Sequence, residues 1–204
     1  MNNEIENLVR INKSQVEPAA EALTKAFKEV IVRALPNDLN SEKVVHSFLS
    51  IGLHIGIKYG EVYATSSNYE GVAIWMPSDN LPITTREMLS SVPLMAVLGF
   101  VRHGGLKMRH FADFAEKMHK RLAPFKHWYL QAIGVDPKFR GKGYTGKLIR
   151  PMLAKIDIQH LPCYLETYEE NVPIYERFGF RTIERASIPQ TSFENWAMLR
   201  EGSK

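Results

Sequence analysis

The chain has 204 residues, of which 45% are hydrophobic and 24% charged, and its formal net charge at pH 7 is +4. This balance excludes an intrinsically disordered chain, and the length favours one large domain over two small ones. The positive charge is mild and comes without a long basic run, so nucleic acid is an unfavoured partner and an anionic small ligand suits the chain better.

The cysteine content and the apolar runs bear on the compartment. Cys163 is the single cysteine, which rules out an internal disulfide and fits a reducing compartment. The polar N-terminus does not have the pattern of a signal peptide. The longest apolar run, near 92–101, contains Pro93 and Gly99 and is too short to cross a bilayer. We therefore expect a cytoplasmic protein without a membrane partner.

The first 122 residues predict a strand, two helices, two paired strands and a further helical run, in that order. Short strands are expected at 8–11, 61–65 and 71–76, and apolar residues at helical spacing predict the helices before and after 36–38, where a turn is expected. A second helical run covers 85–122, with a kink at Pro93 and a break at 104–105. These later helices either add to the core or form a wall over a substrate pocket.

The last third of the chain has a clearer pattern. Strands are predicted at Trp128–Val135 and Cys163–Thr167, on either side of a helix over 143–160. Asn171 is placed to cap a short helix that ends before Gly179. Two final strands follow at 181–186 and 196–200.

A glycine-rich basic loop joins the strand ending at Val135 to the next helix. Its sequence from Arg140 to Lys147 is RGKGYTGK. Glycine lets a backbone approach a ligand closely, and the first N–H groups of a helix have no partner within the helix. Together with the helix dipole, these groups form an anion site.

Three interpretations of this loop compete with that of a coenzyme site. The first is a basic surface turn that binds nothing. The second is a dinucleotide fingerprint, because Gly141, Gly143 and Gly146 match G-x-G-x-x-G and Glu166 lies twenty residues on; too few residues follow, however, for a doubly wound sheet. The third is a P-loop, but Leu148 stands where a magnesium-binding hydroxyl is needed.

Two motifs in this region resemble the GNAT superfamily of acyl-CoA N-acyltransferases. The first is Ile133-Gly134-Val135, then Asp-Pro, then Arg-Gly-x-Gly opening a helix. The second is NVPIYERFGF, from Asn171 to Phe180. The resemblance is most specific over 128–180, and Thr145 stands where the family pattern has Gly or Ala. It implies a single N-acetyltransferase-like domain over 1–204, of the α+β class, with a central mixed, mostly antiparallel sheet of six or seven strands and helices on both faces.

The resemblance also implies which residues bind acetyl-CoA. The loop would hold the pyrophosphate, and the preceding strand would pair with the pantetheine arm, with the Val135 N–H facing the thioester carbonyl. No metal is implied. The implied coenzyme-binding residues are Ile133, Gly134, Val135, Arg140, Gly141, Lys142, Gly143, Tyr144, Thr145, Gly146 and Asn171.

Acyl transfer to an amine also needs groups that move protons. Tyr175 is the implied general acid, since it lies early on the helix after Asn171 where the family keeps this acid. Glu166 is the predicted general base, and strand alternation puts Tyr164 on the same face. The seven histidines show no metal-ligand spacing, and most are expected at the surface; Cys163 is expected to be a small buried residue.

The sequence thus predicts an N-acetyltransferase that moves an acetyl group from acetyl-CoA to a primary amine by direct attack in a ternary complex. A small-molecule amine is the expected acceptor. The alternative from another class is a catalytically degenerate CoA-binding sensor or scaffold, and a nucleotide-binding module is a third hypothesis. The oligomeric state and the identity of the amine are not encoded in these motifs.

Overall fold

The structure is a computed structural model and describes residues 5, 7–34, 41–103, 105, 109–189 and 193–202. The turn predicted at 36–38 and the glycine at 104 lie outside these residues. The described strands form one seven-stranded sheet in the order β1-β2-β3-β4-β5-β7-β6. These strands are β1 (Val9–Arg10), β2 (Glu61–Ala64), β3 (Gly71–Pro77), β4 (Trp128–Val135), β5 (Cys163–Thr167), β6 (Arg181–Ser187) and β7 (Glu194–Arg200).

The sheet is mixed but mostly antiparallel, as predicted. Within the described residues, β4 and β5 are the one parallel pair, and every other neighbouring pair is antiparallel. A dinucleotide-binding fold needs a parallel doubly wound sheet, so this topology removes that interpretation of the glycine loop.

Helices cover both faces of the sheet, which confirms the predicted α+β class. Both faces of β3 are covered, so its sequence is apolar without alternation. Ile74 belongs to the core cluster of Leu23 and Leu53, and Trp75 belongs to the cluster of Leu148 on the other face. The described helices are α1 (Val16–Ala34), α2 (Ser41–Tyr59), α3 (Thr85–Ser91), α4 (Leu94–Arg102), α5 (Arg109–Leu122), α6 (Tyr144–Ile158) and α7 (Val172–Glu176). No helix among the described residues is long and apolar enough to cross a membrane.

Pro93 separates two helices where the sequence predicts one kinked helix. α3 ends at Ser91, and Pro93 precedes the first residue of α4 in an extended conformation. Proline has no N–H to give to the preceding turn, and its ring clashes with that turn. The N-terminus of α3 is fixed by a capping box in which Thr84 and Glu87 exchange hydrogen bonds.

The central feature for function is the separation of β4 from β5. Their parallel pairing runs from Trp128–Cys163 to Leu130–Leu165 and, within the described residues, extends no further. β4 nevertheless continues to Val135 along its other neighbour, β3. At the point of separation the β3–β4 register shifts, since Trp75 faces Leu130 and Ile74 faces Ala132. Gln131 is therefore the extra residue of a β-bulge, which bends β4 away from β5.

Candidate active site

Beyond the bulge, one edge of β4 is open. The carbonyl of Gly71 accepts from the N–H of Thr65 on the β2 side, at 3.0 Å. Gly71 thus directs its polar backbone groups away from β4, which makes Gly71–Val135 a non-hydrogen-bonded pair. The N–H and C=O of Val135 consequently face the open side, and by alternation so do those of Ile133. The strand offers main-chain groups where the sequence predicts a pantetheine arm.

Gly134 has a packing reason to be glycine. A side chain there would meet the Cβ of Ala26 at 2.7 Å and a methyl of Leu23 at 3.0 Å. The glycine therefore lets α1 lie close against β4, and its role is separate from the main-chain groups of its two neighbours.

The loop after β4 ends in an uncapped helix N-terminus. Gly143 is the N-cap residue of α6 with φ of 80°, and in the described part of the chain no side chain caps this end. The first helical hydrogen bond runs from the Lys147 N–H to the Gly143 carbonyl at 3.0 Å. The N–H groups from Gly143 to Gly146 are thus left without partners inside the helix, and the positive end of the dipole lies there.

The two earlier glycines of the loop are needed for different reasons from Gly146. Gly141 and Gly143 have φ of +76° and +80°, and a Cβ on either would meet no described atom within 4 Å. The space over the loop is therefore open to a ligand, and the left-handed backbone favours glycine. Gly146 lies inside the helix, where an added Cβ would make only ordinary contacts.

A cavity of about 640 Å³ adjoins this helix end. Four of the predicted coenzyme-binding residues line it, namely Gly141, Gly143, Thr145 and Gly146. Its other lining residues include Lys147, the last basic residue of the loop, whose ammonium donates to the Thr65 carbonyl at 2.8 Å. They also include two cations that sequence reasoning did not single out, Arg150 and Arg177. An i, i+3 spacing from Lys147 to Arg150 was the available signal. The cavity combines backbone donors with positive charge, the combination that phosphates prefer.

Three other predicted loop residues are engaged by the protein itself. The Arg140 guanidinium donates to Glu29 at 3.1 Å and to the Ala26 carbonyl at 2.9 Å, so it ties the loop to α1. The Lys142 ammonium lies 5.3 Å from the Phe139 ring centroid, and the ring of Tyr144 packs edge-on against the same phenylalanine at 5.8 Å. In this structure the charge of Arg140 acts on α1 rather than over the helix end.

A second and larger cavity, of about 920 Å³, opens where β4 and β5 part. Ile133, Glu166, Asn171 and Tyr175 all line it, so folding brings both predicted catalytic residues to one space. Asn171 occupies the N-cap position of α7, but among the described residues its side chain makes no capping hydrogen bond. Like Tyr175, it lines the larger cavity.

Tyr175, the predicted general acid, is buried in the wall of the larger cavity. It is 7% exposed and its ring packs edge-on against Phe180, with centroids 6.1 Å apart. Burial raises the pKa of the Tyr175 hydroxyl to about 12, while a hydrogen bond with Thr167 acts in the opposite direction. The hydroxyl therefore stays protonated over any ordinary assay range, as a general acid must before it donates.

Glu166 is a carboxylate held by neutral partners. Its Oε1 accepts from the Tyr164 hydroxyl at 2.9 Å, and its Oε2 accepts from the Asn195 amide at 2.5 Å. Burial raises the pKa of Glu166 to about 7, and these two hydrogen bonds lower it only in part. A carboxylate with a pKa near neutrality is suited to accept a proton from an amine.

A histidine pair near Glu166, with His127 buried and His119 half-buried, was not foreseen, and the expectation of surface histidines is wrong for it. His127 is 2% exposed, and its Nε2 lies 2.7 Å from the Nε2 of His119. The His119 ring stacks on Tyr164, with centroids 4.9 Å apart and planes 8° apart. Both histidines line the larger cavity. The available signal was the position of His127 one residue before a buried strand.

The hydrogen bonds of the pair determine its tautomers. His127 Nδ1 lies 2.6 Å from the Phe125 carbonyl, which can only accept, so Nδ1 carries the hydrogen. In neutral His127, Nε2 is then an acceptor, and His119 must donate from its own Nε2. Burial lowers the pKa of both residues, that of His119 to about 4, and His127 lowers it further. Both rings are therefore neutral at pH 7.

The described residues contain neither a reactive cysteine nor a cluster of metal-ligating side chains. Cys163 is fully buried beneath α6, and burial raises the pKa of its thiol. A thiol in that state is a poor nucleophile. No group of three or more His, Cys, Asp or Glu among the described residues is placed to hold a metal ion.

Comparisons with known proteins agree with this geometry. The model of the acetyltransferase (GNAT) domain family matches residues 97–182. An uncharacterized N-acetyltransferase of Schizosaccharomyces pombe is 28% identical over 183 residues, which cover 84% of this chain and 72% of the relative.

Solved structures share the fold at low sequence identity. A structure described as histone acetyltransferase HPA2 and related acetyltransferase, from Corynebacterium glutamicum, aligns with a TM-score of 0.65 at 17% identity, over 97% of each chain. An N-acetyltransferase from Staphylococcus aureus aligns at 0.60 and 14% identity, over 94% of this chain and 98% of the other. The family match and the relative support an acyltransferase enzyme. Over 97–182 the chain is similar to the acetyltransferase (GNAT) domain family, in agreement with the resemblance seen in its sequence.

Proposed function

We propose that this protein transfers an acetyl group from acetyl-CoA to a primary amine, by direct attack within a ternary complex. The observation that carries the proposal is the open edge of β4 at Ile133 and Val135, which lies between an uncapped helix N-terminus and a cavity lined by Tyr175 and Glu166. A coenzyme with a pyrophosphate and an amide-containing arm is complementary to this site, because the pyrophosphate fits the helix N-terminus and the arm fits the open strand edge.

The coenzyme would be held at two places. The N–H groups of Gly143 to Gly146 bind the pyrophosphate, and Lys147, Arg150 and Arg177 add positive charge around the adjoining cavity. The arm follows β4, where Ile133 and Val135 offer main-chain partners, and the Val135 N–H polarises the thioester carbonyl. Arg140 supports the loop through Glu29 and Ala26.

Proton transfers accompany the replacement of the thioester C–S bond by a C–N bond. Glu166 takes a proton from the substrate ammonium, and the freed nitrogen attacks the thioester carbon. The new C–N bond forms as the C–S bond breaks, and Tyr175 protonates the departing thiolate. The nitrogen then loses its second proton to solvent, Glu166 releases the first to solvent, and the tyrosine recovers its own from solvent. The overall products are an N-acetyl amide, free CoA and one proton.

One experiment tests this proposal against its two rivals. Release of free thiol from acetyl-CoA is measured with a panel of primary amines, and the melting temperature is measured with CoA, acetyl-CoA and ATP. Thiol release that depends on amine supports the transferase. Stabilisation by CoA without any release supports a sensor or scaffold, and stabilisation by ATP that CoA cannot compete away supports a nucleotide-binding module.

A further inference from the structure

The larger cavity has two chemically different parts. Near the point where β4 and β5 separate, its wall is polar and includes Glu166, His119, Tyr129, Gln131 and Asn195. Away from that point the wall is aliphatic and aromatic, and it comes from α2, the 81–83 segment and α3. The residues of this apolar part used below are Phe48, Ile51, Ile55, Leu81, Ile83 and Met88.

The carboxylates of the cavity are not equivalent. Among the described residues that line it, the acidic ones are Asp79, Glu116 and Glu166. Asp79 is paired with Lys126 at 2.7 Å, and Glu116 is paired with Lys120 at 2.5 Å. Both lysines line the same cavity.

Glu166 differs because its hydrogen-bond partners, Tyr164 and Asn195, are neutral. Of the three carboxylates that line the cavity among the described residues, Glu166 is therefore the one that is not paired with a cation. A bound substrate with one ammonium group would satisfy it. A second ammonium group would have to lie in the apolar part or displace a lysine, and leaving a charge there unpaired is unfavourable.

Resting on the proposed function, we propose that the acceptor is a monoamine with an apolar body, aliphatic or aryl-alkyl. Its amino group lies at Glu166, and its body lies against the apolar part formed by α2, the 81–83 segment and α3. Polyamines and aminoglycosides, which carry several charges, are excluded by the same arrangement. The α3 segment thus contributes to a substrate wall, one of the two roles the sequence leaves open for it.

The test compares amines of matched length on the wild-type protein. Acetyl-CoA turnover is measured with hexylamine, 1,6-diaminohexane, phenethylamine and ethanolamine. We expect kcat/KM for hexylamine and phenethylamine to exceed that for the other two by at least about 30-fold, because an uncompensated charge or a lost apolar contact is costly. A higher value for hexylamine alone indicates an aliphatic body, and a higher value for phenethylamine alone indicates an aryl-alkyl body.

A variant that introduces a charge into the apolar part should reverse the preference between the monoamine and the diamine. Ile55→Glu puts a second carboxylate in the apolar part, about where the far end of the substrate would lie. We expect it to lower kcat/KM for hexylamine about tenfold and to raise that for 1,6-diaminohexane. Ile158→Glu is the matched control, because Ile158 is 81% exposed on α6 and does not line the cavity. If the Ile55 variant does not fold, the wild-type comparison decides alone.

The outcomes distinguish a wrong monoamine assignment from a wrong assignment of the protein as an acetyltransferase. Turnover of 1,6-diaminohexane or ethanolamine at least equal to that of hexylamine overturns the monoamine assignment and leaves the transferase standing. Absence of thiol release with every amine, in a protein that CoA stabilises, overturns both.

Discussion

Leu130 of β4 and Leu165 of β5 form the last pair of the parallel ladder between the two strands. Past this pair Gln131 bulges, β4 stays with β3, and its other edge is left without a protein partner among the described residues. Exposed strand edges invite the pairing of another extended chain. Here the added chain is expected to be the arm of a coenzyme, whose reactive end would arrive beside Tyr175 and Glu166.

Substitution of Gly143 should weaken coenzyme binding more than it weakens the fold. Gly143→Asp adds a carboxylate next to the expected pyrophosphate, and Gly143→Ala adds only the strain of a side chain at φ of 80°. We expect the alanine variant to lose a few-fold in CoA affinity and the aspartate variant at least about tenfold more. Calorimetric titration with CoA and a denaturant melt measure the two effects. Equal affinities for the two variants would place the anion site elsewhere.

Loss of the Tyr175 hydroxyl should act on chemistry and spare binding. Tyr175→Phe keeps the ring that packs on Phe180 and removes the proton donor. We expect kcat to fall by about 10²-fold or more, since acid–base catalysis contributes roughly 10²–10⁴-fold, while the Kd for CoA stays within a few-fold. Tyr69→Phe, in the β2–β3 turn, is the matched control. An unchanged kcat under conditions where chemistry limits the rate would remove Tyr175 from the mechanism.

Glu166 should set the acidic limb of the pH–rate profile. Its pKa is raised to about 7 by burial, so the basic carboxylate form accumulates as the pH rises through 7. For the wild-type protein we expect kcat/KM to increase with pH up to that point. In Glu166→Gln this limb should vanish and the rate at pH 8 should fall about 10²-fold. Glu21→Gln on the outer face of α1 should keep the wild-type profile; a limb that survives in Glu166→Gln assigns the base to another group.

The histidine pair should make the fold sensitive to acid. The pKa of His119 is lowered from 6.5 to about 4 by burial beside His127, so between these values the unfolded chain binds a proton that the native state does not. Stability linked to His119 is thus complete above pH 6.5 and is lost as the pH falls towards 4. Glu166 contributes the opposite slope between 4.5 and about 7, because its native pKa is raised.

Comparison of variants isolates the contribution of His119. His119→Phe preserves a ring against Tyr164 but does not titrate, so its free energy of unfolding should fall less between pH 6.5 and 4.5 than that of the wild-type protein. His160→Gln, at an exposed position, should behave as wild type. Urea melts at several pH values give these slopes. Parallel curves for the wild-type protein and His119→Phe would contradict a neutral buried pair.

The conformation of the 140–146 loop could be predicted from the sequence because it is local. Gly141 and Gly143 have φ values that favour glycine, and the helix that starts at Tyr144 leaves its first N–H groups unpaired wherever it lies in the fold. Strand alternation likewise placed Tyr164 and Glu166 on one face, and their hydrogen bond of 2.9 Å agrees. The conformations of the glycines, the strand and the helix are each determined by a short stretch of consecutive residues.

Long-range packing decided the rest of the site. The open edge of β4 depends on where its pairing with β5 stops, and Arg140 serves α1 because Glu29 and Ala26 come within reach only after folding. His119 and His127 become a neutral pair because folding brings their rings together and shields them from water, although nothing in the neighbouring sequence marks either position. Local backbone conformation is determined by consecutive residues. Burial, and the pKa values that depend on it, are determined by residues distant in sequence that the folded sheet and helices bring together.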